Sequence, residues 1–416
     1  MANATTNQKS DKIDTMAETG RRLRELRDDQ GLSREELATQ SGISVTVIKK
    51  IEGGGTARME TLHKLARTLG VVTMTFVPAG YPGPSLGGRD ENVFADMRAA
   101  IAPPISLKGT FLHETADHDE LSLARLTKSV DALGAAYHSS QFDQLAAFAP
   151  PLVRSAYYHV DNLEGEKRDQ ALRARSDVLN IVGRYLIQVR EHDLALIAIS
   201  NALRDALAIG DMSLAGSAVS VQAWAMMRQG RFGEVERLCA ESADMIEPRM
   251  STATTAELDS WGWLLLRASA AAARNNRPDR ASEYANLAII AGNRVGKETG
   301  RPAGRQFGPV SAALILPENS MIEGNPRKAI EQFRQIPRDG GRTNPSTWDR
   351  ARLDAARAHV TVGDTGRAVE ILMDLRHTVP EWMRHQQFGQ DTVRELMNAS
   401  PRLTRDHRAL AKFYSI

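Results

Sequence analysis

Near the N-terminus, three side chains have the types and spacing to read a polynucleotide. Thr46, Lys49 and Lys50 face outward on one short helical stretch, while Ile48 and Ile51 face inward. A hydroxyl and two ammonium groups on one outer face can hydrogen-bond to base edges and phosphate oxygens. Lys50 suits the O6 or N7 of a guanine, Lys49 suits backbone charge, and Val45 beside them can touch a thymine methyl group. A short helix that is cationic on its outer side is what a major groove admits.

The residues before it are those that would position it. Ser33 and Glu36 have the S-x-x-E spacing of a capping box, which predicts a helix start. Leu37 and Ala38 give that helix an apolar face. Gly42 supplies a turn residue free to take positive φ, and Ser44 can cap the helix carrying Thr46. Upstream, a first helix is expected from Asp14 or Thr15, with Thr15 and Glu18 at capping-box spacing. Leu23 and Leu26 form its buried stripe, Arg21, Arg22 and Arg24 its exposed side, and Gly31 its end. Downstream, Gly53, Gly54 and Gly55 predict a sharp exit whose backbone N–H groups can approach phosphate. A fourth helix is expected over Met59 to Leu69, with Leu62, Leu65, Ala66 and Leu69 inward.

Residues 17 to 70, with GRRLRELRDDQGLSREELATQSGISVTVIKKIEGG followed by METLHKLARTLGV, resemble the XRE/Cro/phage-repressor helix-turn-helix domain. The resemblance implies a lambda-repressor-like domain over 15–77 that binds double-stranded DNA. It implies phosphate contacts from Arg34 and Ser44, and an ion pair between Arg27 and Glu52 that orients the recognition helix. Val45 departs from the long polar residue often found there, which weakens any hydrogen-bonded base contact at that position. One such helix reads only a few base pairs, so a homodimer on a palindromic operator is expected. Val71 to Val77, VVTMTFV, reads as a short strand. It either pairs with its copy in a dimer, as in some members of that family, or packs on its own domain.

Composition bounds the rest. The chain has 416 residues and a net charge of +2, so nucleic-acid binding must be local to one face. Cys239 is the sole cysteine, which excludes an internal disulfide framework. No apolar run approaches the roughly 18 residues that span a bilayer. Residues 1–14 read as a disordered lead-in without a signal core, and the expected location is cytoplasmic. Residues 78–91, rich in Pro and Gly, read as a linker.

From 92 to 416 the pattern is all-α. Turns between Ala/Leu-rich helices are expected at Ser140-Gln141, His192-Asp193, Gly230-Arg231, Asn276-Arg277, Gly324-Asn325 and Gly363-Asp364. Their spacing, about 38 to 52 residues, exceeds the roughly 34 of a tetratricopeptide repeat. Gln229 to Leu238 and Gly363 to Leu372 nevertheless resemble the turn and second helix of that repeat, which implies an α-solenoid of elongated, degenerate pairs. Pro401 to Ile416 reads as a capping helix. Gly292 to Pro309 reads as a long mobile loop serving as a lid, a partner contact or an insertion.

Other chemistry is excluded by spacing. Gly292 to Thr299 lacks the glycine interval and Lys-Ser/Thr pair of a phosphate-binding loop. His113 and His118, with Glu114, Asp117 and Asp119 nearby, are five apart rather than four, so a zinc pair is not expected. No nucleophile–base constellation stands out, so neither an enzyme nor a metal or cofactor is expected. Cys239 reads as a small core residue. All five tryptophans lie in the repeat half. Gln222, Trp261 and Asn319 are the positions expected to hold a ligand. The two-part organisation resembles the peptide-receptor regulators of Gram-positive bacteria, implying a signalling peptide that controls operator binding. The alternative is a solenoid that is a protein-interaction scaffold with no small effector.

Overall fold

The computed structural model describes residues 19–55, 57, 59–69, 94–107, 111, 121–300, 303–337 and 345–416. The lead-in, the cap at Thr15 and Glu18, the strand at 71–77, the linker at 78–91 and the cluster from His113 to Asp119 lie outside the described residues. The chain divides into two compact units, Met1–Asp96 and Met97–Ile416.

In the first unit, α1 (19–29) is followed by α2 (Arg34–Ser41), α3 (Val45–Glu52) and α4 (Met59–Thr68). Their apolar stripes converge on one small core of Leu23, Leu37, Ile48, Ile51, Leu65 and Leu69, each at most 1% exposed. Burying each such side chain is worth about 1.5–3 kcal/mol. Gln30 Nε2 donates to the Leu69 carbonyl at 2.6 Å, tying the end of α1 to the end of α4.

The second unit opens with α5 (Ala95–Ile101), which begins at the boundary, and continues as helical hairpins: α6 (Leu123–His138) with α7 (Phe142–Asn162), α8 (Gly165–Gln188) with α9 (His192–Ala208), α10 (Met212–Arg228) with α11 (Phe232–Met245), and α12 (Thr255–Arg274) with α13 (Pro278–Val295). Past α14 (Pro309–Ala313) come α15 (Ile315–Ile322) with α16 (Pro326–Gln335), and α17 (Pro345–Thr361) with α18 (Thr365–Thr378). The short α19 (Pro380–Arg384) leads into α20 (Gln387–Ala399) and α21 (Arg405–Phe413), and α21 packs on α18 and α20. The first helix of each pair also packs on the first helix of the next, giving a continuous row α6, α8, α10, α12, α15, α17, α20.

One hydrogen-bond pattern closes every hairpin. Ser140, Arg190, Gly230, Asn276, Gly324 and Gly363 all take positive φ, between 56° and 86°. In each case the next N–H reaches back five residues, as from Gly230's neighbour Arg231 to Met226 O at 3.1 Å, and the residue's own N–H reaches back three. This pairing satisfies the carbonyls that a helix end leaves open. The second turn is displaced from the sequence reading. It lies at Val189 to Glu191, and His192 already opens α9. With no glycine or asparagine to mark it, Arg190 takes the left-handed position itself.

Gly292 to Pro309 also differs from its sequence reading. Gly292 is buried inside α13, which runs on to Val295, and the described residues 296–300 and 303–308 lie beyond the helix. Glu298, Thr299 and Phe307 of that segment are seated by specific contacts. Thr299 and Phe307 exchange backbone hydrogen bonds at 3.0 and 2.8 Å. Glu298 caps α14 by accepting from the N–H groups of Val310 and Ser311. Phe307 is fully buried edge-on against Trp263, directly over Gly262, where a Cβ would lie 2.1 Å from its ring. Of the glycines that suggested looseness, Gly292, Gly300 and Gly308 are sites of close backbone approach, and Gly296 caps α13 at positive φ.

The last helices of the unit return to its first hairpins. Phe142 N, at the start of α7, donates to Glu381 Oε2 of α19 at 2.8 Å, and Gln386 donates to Gln188 of α8 at 3.0 Å. No described helix is long and apolar enough to cross a membrane.

Candidate nucleic-acid interface

The α2–turn–α3 hairpin is held by local chemistry. Ser33 Oγ accepts from Glu36 N, and Glu36 returns the bond to Ser33 N at 2.7 Å, so both halves of the capping box form. Those bonds hold the Glu36 carboxyl below its usual range. Gly42, at φ +68°, ends α2 with its N–H on Ala38 O. Ser44 then caps α3 by accepting from Val47 N at 3.4 Å.

Within α3, Ile48 and Ile51 are buried, whereas Ser44, Thr46, Val47, Lys49 and Lys50 are exposed and Val45 is half-buried. Thr46, Lys49 and Lys50 are three and four residues apart, so they share one helical face.

The last residue of α3, Glu52, fixes the helix against α1 and α2. Its side chain is wholly buried. Arg27 Nε donates to its Oε1 at 2.7 Å and Arg34 Nε to its Oε2 at 2.7 Å, with Arg24 Nε at 3.7 Å. Burial pushes the Glu52 carboxyl up, but the hydrogen bonds from Arg27 and Arg34 outweigh it and hold the group below the usual carboxylate value. Arg27 also donates to Leu32 O at 2.8 Å, which pins the α1–α2 connection. Arg34 thus has a structural partner besides any phosphate; its side chain is about one-third exposed.

Two features were not read from the sequence. Gly20 lies four residues before Arg24 and seven before Arg27, on the same face of α1. A Cβ there would sit 2.3 Å from Ile51 O, so α1 can cross the end of α3 only at a glycine. The glycines after α3 also act differently from expectation. The N–H groups of Gly53, Gly54 and Gly55 donate to Lys49 O, Ile51 O and Lys50 O at 2.8 to 3.1 Å. Those donors complete the helix end and are not directed at phosphate.

In the second unit the row of first helices, with residues from α11, α14, α19 and the segment carrying Arg305, lines a half-open cavity of about 200 Å³. None of the three residues expected to hold a ligand lines it. Trp261 is 3% exposed in the hydrophobic core. Asn319 is buried and donates to Ser269 Oγ at 2.9 Å. Gln222 borders a separate surface depression with Ser200 and Arg237. The neighbours Trp224 and Trp263 reach the cavity instead. Helical phase, which sequence alone leaves open, separates Trp261 from Trp263. Cys239 is fully buried, and burial pushes its thiol up to about 12. Among the described residues no group of three metal-ligating side chains occurs.

Residues 23–77 match the model of a helix-turn-helix family. The match covers the α2–α3 hairpin and supports a DNA-binding transcription regulator of the XRE type. No curated protein matches the chain.

Proposed function

We propose that the chain is a dimeric, sequence-specific regulator whose α3 enters the major groove of a palindromic operator and whose second unit senses a ligand. The observation that carries the DNA reading is the exposed face of Thr46, Lys49 and Lys50, on a helix whose far end is fixed by the buried Glu52. A rigid element presenting donors at fixed spacing is what base readout requires. Thr46 and Lys50 reach base edges with Val45 beside them, and Ser44, Arg34 and Lys49 meet phosphates. Half-sites lie about 10 base pairs apart, or a multiple.

The hairpins of the second unit are read as an α-solenoid of elongated tetratricopeptide-like pairs, with first helices inside. The half-open cavity supports a sensor that takes a small ligand, a signalling peptide among the candidates. Coupling requires that ligand to favour one arrangement of the DNA-binding units over another.

Lys50→Ala is expected to relax preference at one half-site position, while Arg34→Ala weakens all duplexes alike. Equal losses on operator and random DNA for both variants would refute the assignment.

A second reading, the protein-interaction scaffold, is favoured by large apolar side chains exposed on second helices: Phe148 on α7, Leu207 on α9, Met245 on α11 and Ile290 on α13. A protein co-purifying at fixed stoichiometry, released by polar substitution of these residues, would support it.

A further inference from the structure

The cavity of the second unit carries an excess of positive charge that the protein does not neutralise. Six arginines line it, against two carboxylates, Glu318 and Asp354. Both carboxylates are engaged, Glu318 with Arg274 at 2.8 Å and Asp354 with Arg350 at 3.0 Å. Arg184 donates to the carbonyls of Ala303 and Gly304. Three guanidinium groups remain without a carboxylate, of which Arg305 donates one long hydrogen bond to Ser220 Oγ at 3.4 Å. Arg267 stacks between Trp224 and Trp263, with centroids at 5.2 and 5.7 Å, Arg228 lies 6.0 Å from the Trp224 centroid, and Arg305 lies 3.2 Å from that of Trp263. None of the three has a carboxylate within ion-pair distance among the described residues.

Gathering like charges inside a protein is unfavourable unless something opposite is bound. Packing around its head group, then the Arg350 and Arg274 guanidinium groups, pulls Arg228 below its ordinary value, although the residue as a whole is exposed at the cavity rim. Burial pulls Arg267 to about 10, and burial with Arg267 and Arg184 beside it pulls Arg305 well below the ordinary value. A second observation points the same way. The wall holds buried N–H donors for which no protein atom is an acceptor: Arg267 Nε, Trp263 Nε1 and Trp382 Nε1. Charge and hydrogen bonding both lack acceptor oxygens.

We propose that this cavity is the binding site of a small multivalent anion, a phosphate ester or polycarboxylate, held by Arg228, Arg267 and Arg305. Guanidinium groups match such oxygens two at a time, and charge-assisted bonds of this kind are stronger than neutral ones. Arg305 arrives on the segment 303–307, so that segment supplies one wall of the site. The inference deepens the reading of the second unit as a sensor and names its ligand class.

The test is a tryptophan-fluorescence titration of the full-length chain at constant ionic strength. Pyrophosphate, citrate and a triglutamate peptide serve as separate probes for phosphate, carboxylate and peptide sources. Trp224 and Trp263 touch the proposed ligating groups, so binding alters their emission. At least one probe should saturate with a midpoint below about 1 mM. The Arg228→Met/Arg267→Met variant should weaken it at least about tenfold. Arg231→Met, whose guanidinium pairs with Glu234 outside the cavity, should bind as wild type. Arg228→Met alone should melt no lower than wild type, because it removes an uncompensated charge, whereas a structural role would lower its melting temperature. Saturation by none of the probes, wild-type affinity in the double variant or equal weakening in Arg231→Met would overturn the proposal. The titration contains no DNA, so its failure is distinct from a failure of the operator reading.

Discussion

Glu52 is the residue whose replacement says most about how α3 is held. Its carboxylate is wholly buried between Arg27 and Arg34, each at 2.7 Å. Breaking a buried pair by removing one partner costs about 3–5 kcal/mol. Two features lower that figure. Arg27 keeps Leu32 O and Asp28 as partners, and Arg34 and Arg24 are exposed enough that their lost pairing counts for little. The expected loss for Glu52→Ala is therefore about 2–4 kcal/mol, and about half that for Glu52→Gln, which keeps an acceptor oxygen. Amide hydrogen exchange of the full-length chain reads this locally, on peptides covering 19–29 and Val45–Glu52. At about 1.4 kcal/mol per decade, Glu52→Ala should speed exchange by about thirtyfold to several hundredfold. The sign of the pH dependence follows from the lowered Glu52 carboxyl. A depressed carboxyl stabilises the fold above its unfolded value, about 4.3, and the contribution is lost as pH falls through the folded value. The difference between wild type and Glu52→Gln should therefore shrink below about pH 4. Exchange in these peptides within about threefold of wild type for Glu52→Ala would refute the role given to the hub.

Other perturbations test the second unit. Gly262→Ala places a Cβ 2.1 Å from the Phe307 ring, so Phe307 is expected to leave its pocket and trypsin to cleave after Arg305, while Gly233→Ala, with open space around it, stays resistant; equal resistance of the two variants in limited proteolysis would contradict the seated segment. Burial pushes the Asp349 carboxyl up to about 6 against the opposing pull of Arg352. A raised carboxyl favours the fold below its unfolded value and loses that contribution as pH rises through 6. Asp349→Asn should thus stabilise by about 1–3 kcal/mol near pH 8 and by nothing near pH 3, with Arg352 still pairing Asp374. Destabilisation at pH 8 in chemical unfolding would count against it.

What the sequence disclosed is what local chemistry determines. The capping box at Ser33 and Glu36, the turn at Gly42 and five of the six hairpin turns follow from residues within a few positions of one another. Arg190 escaped because no residue type announced its left-handed turn. The readings that shifted depend on distant partners. Gly20 is needed because Ile51 O lies above it, and Gly262 because Phe307 does. The arginine-lined cavity assembles groups from α8, α10, α12, α15 and α17 with a segment that reads as loose until Phe307 and the carbonyls bound by Arg184 are seen in place. Periodicity marks helices as amphipathic, but it cannot tell that of two core tryptophans, Trp261 and Trp263, only Trp263 also reaches the cavity, when both sit on a helix buried nearly all round.

The central claim is that Thr46, Lys49 and Lys50 present a reading surface to duplex DNA. Its most direct test is an unbiased selection of duplexes by the purified full-length chain at moderate ionic strength. The account predicts enrichment of a palindrome with half-sites about 10 base pairs apart or a multiple, and loss of one preferred position with Lys50→Ala. Failure to enrich any duplex over random competitor would contradict it.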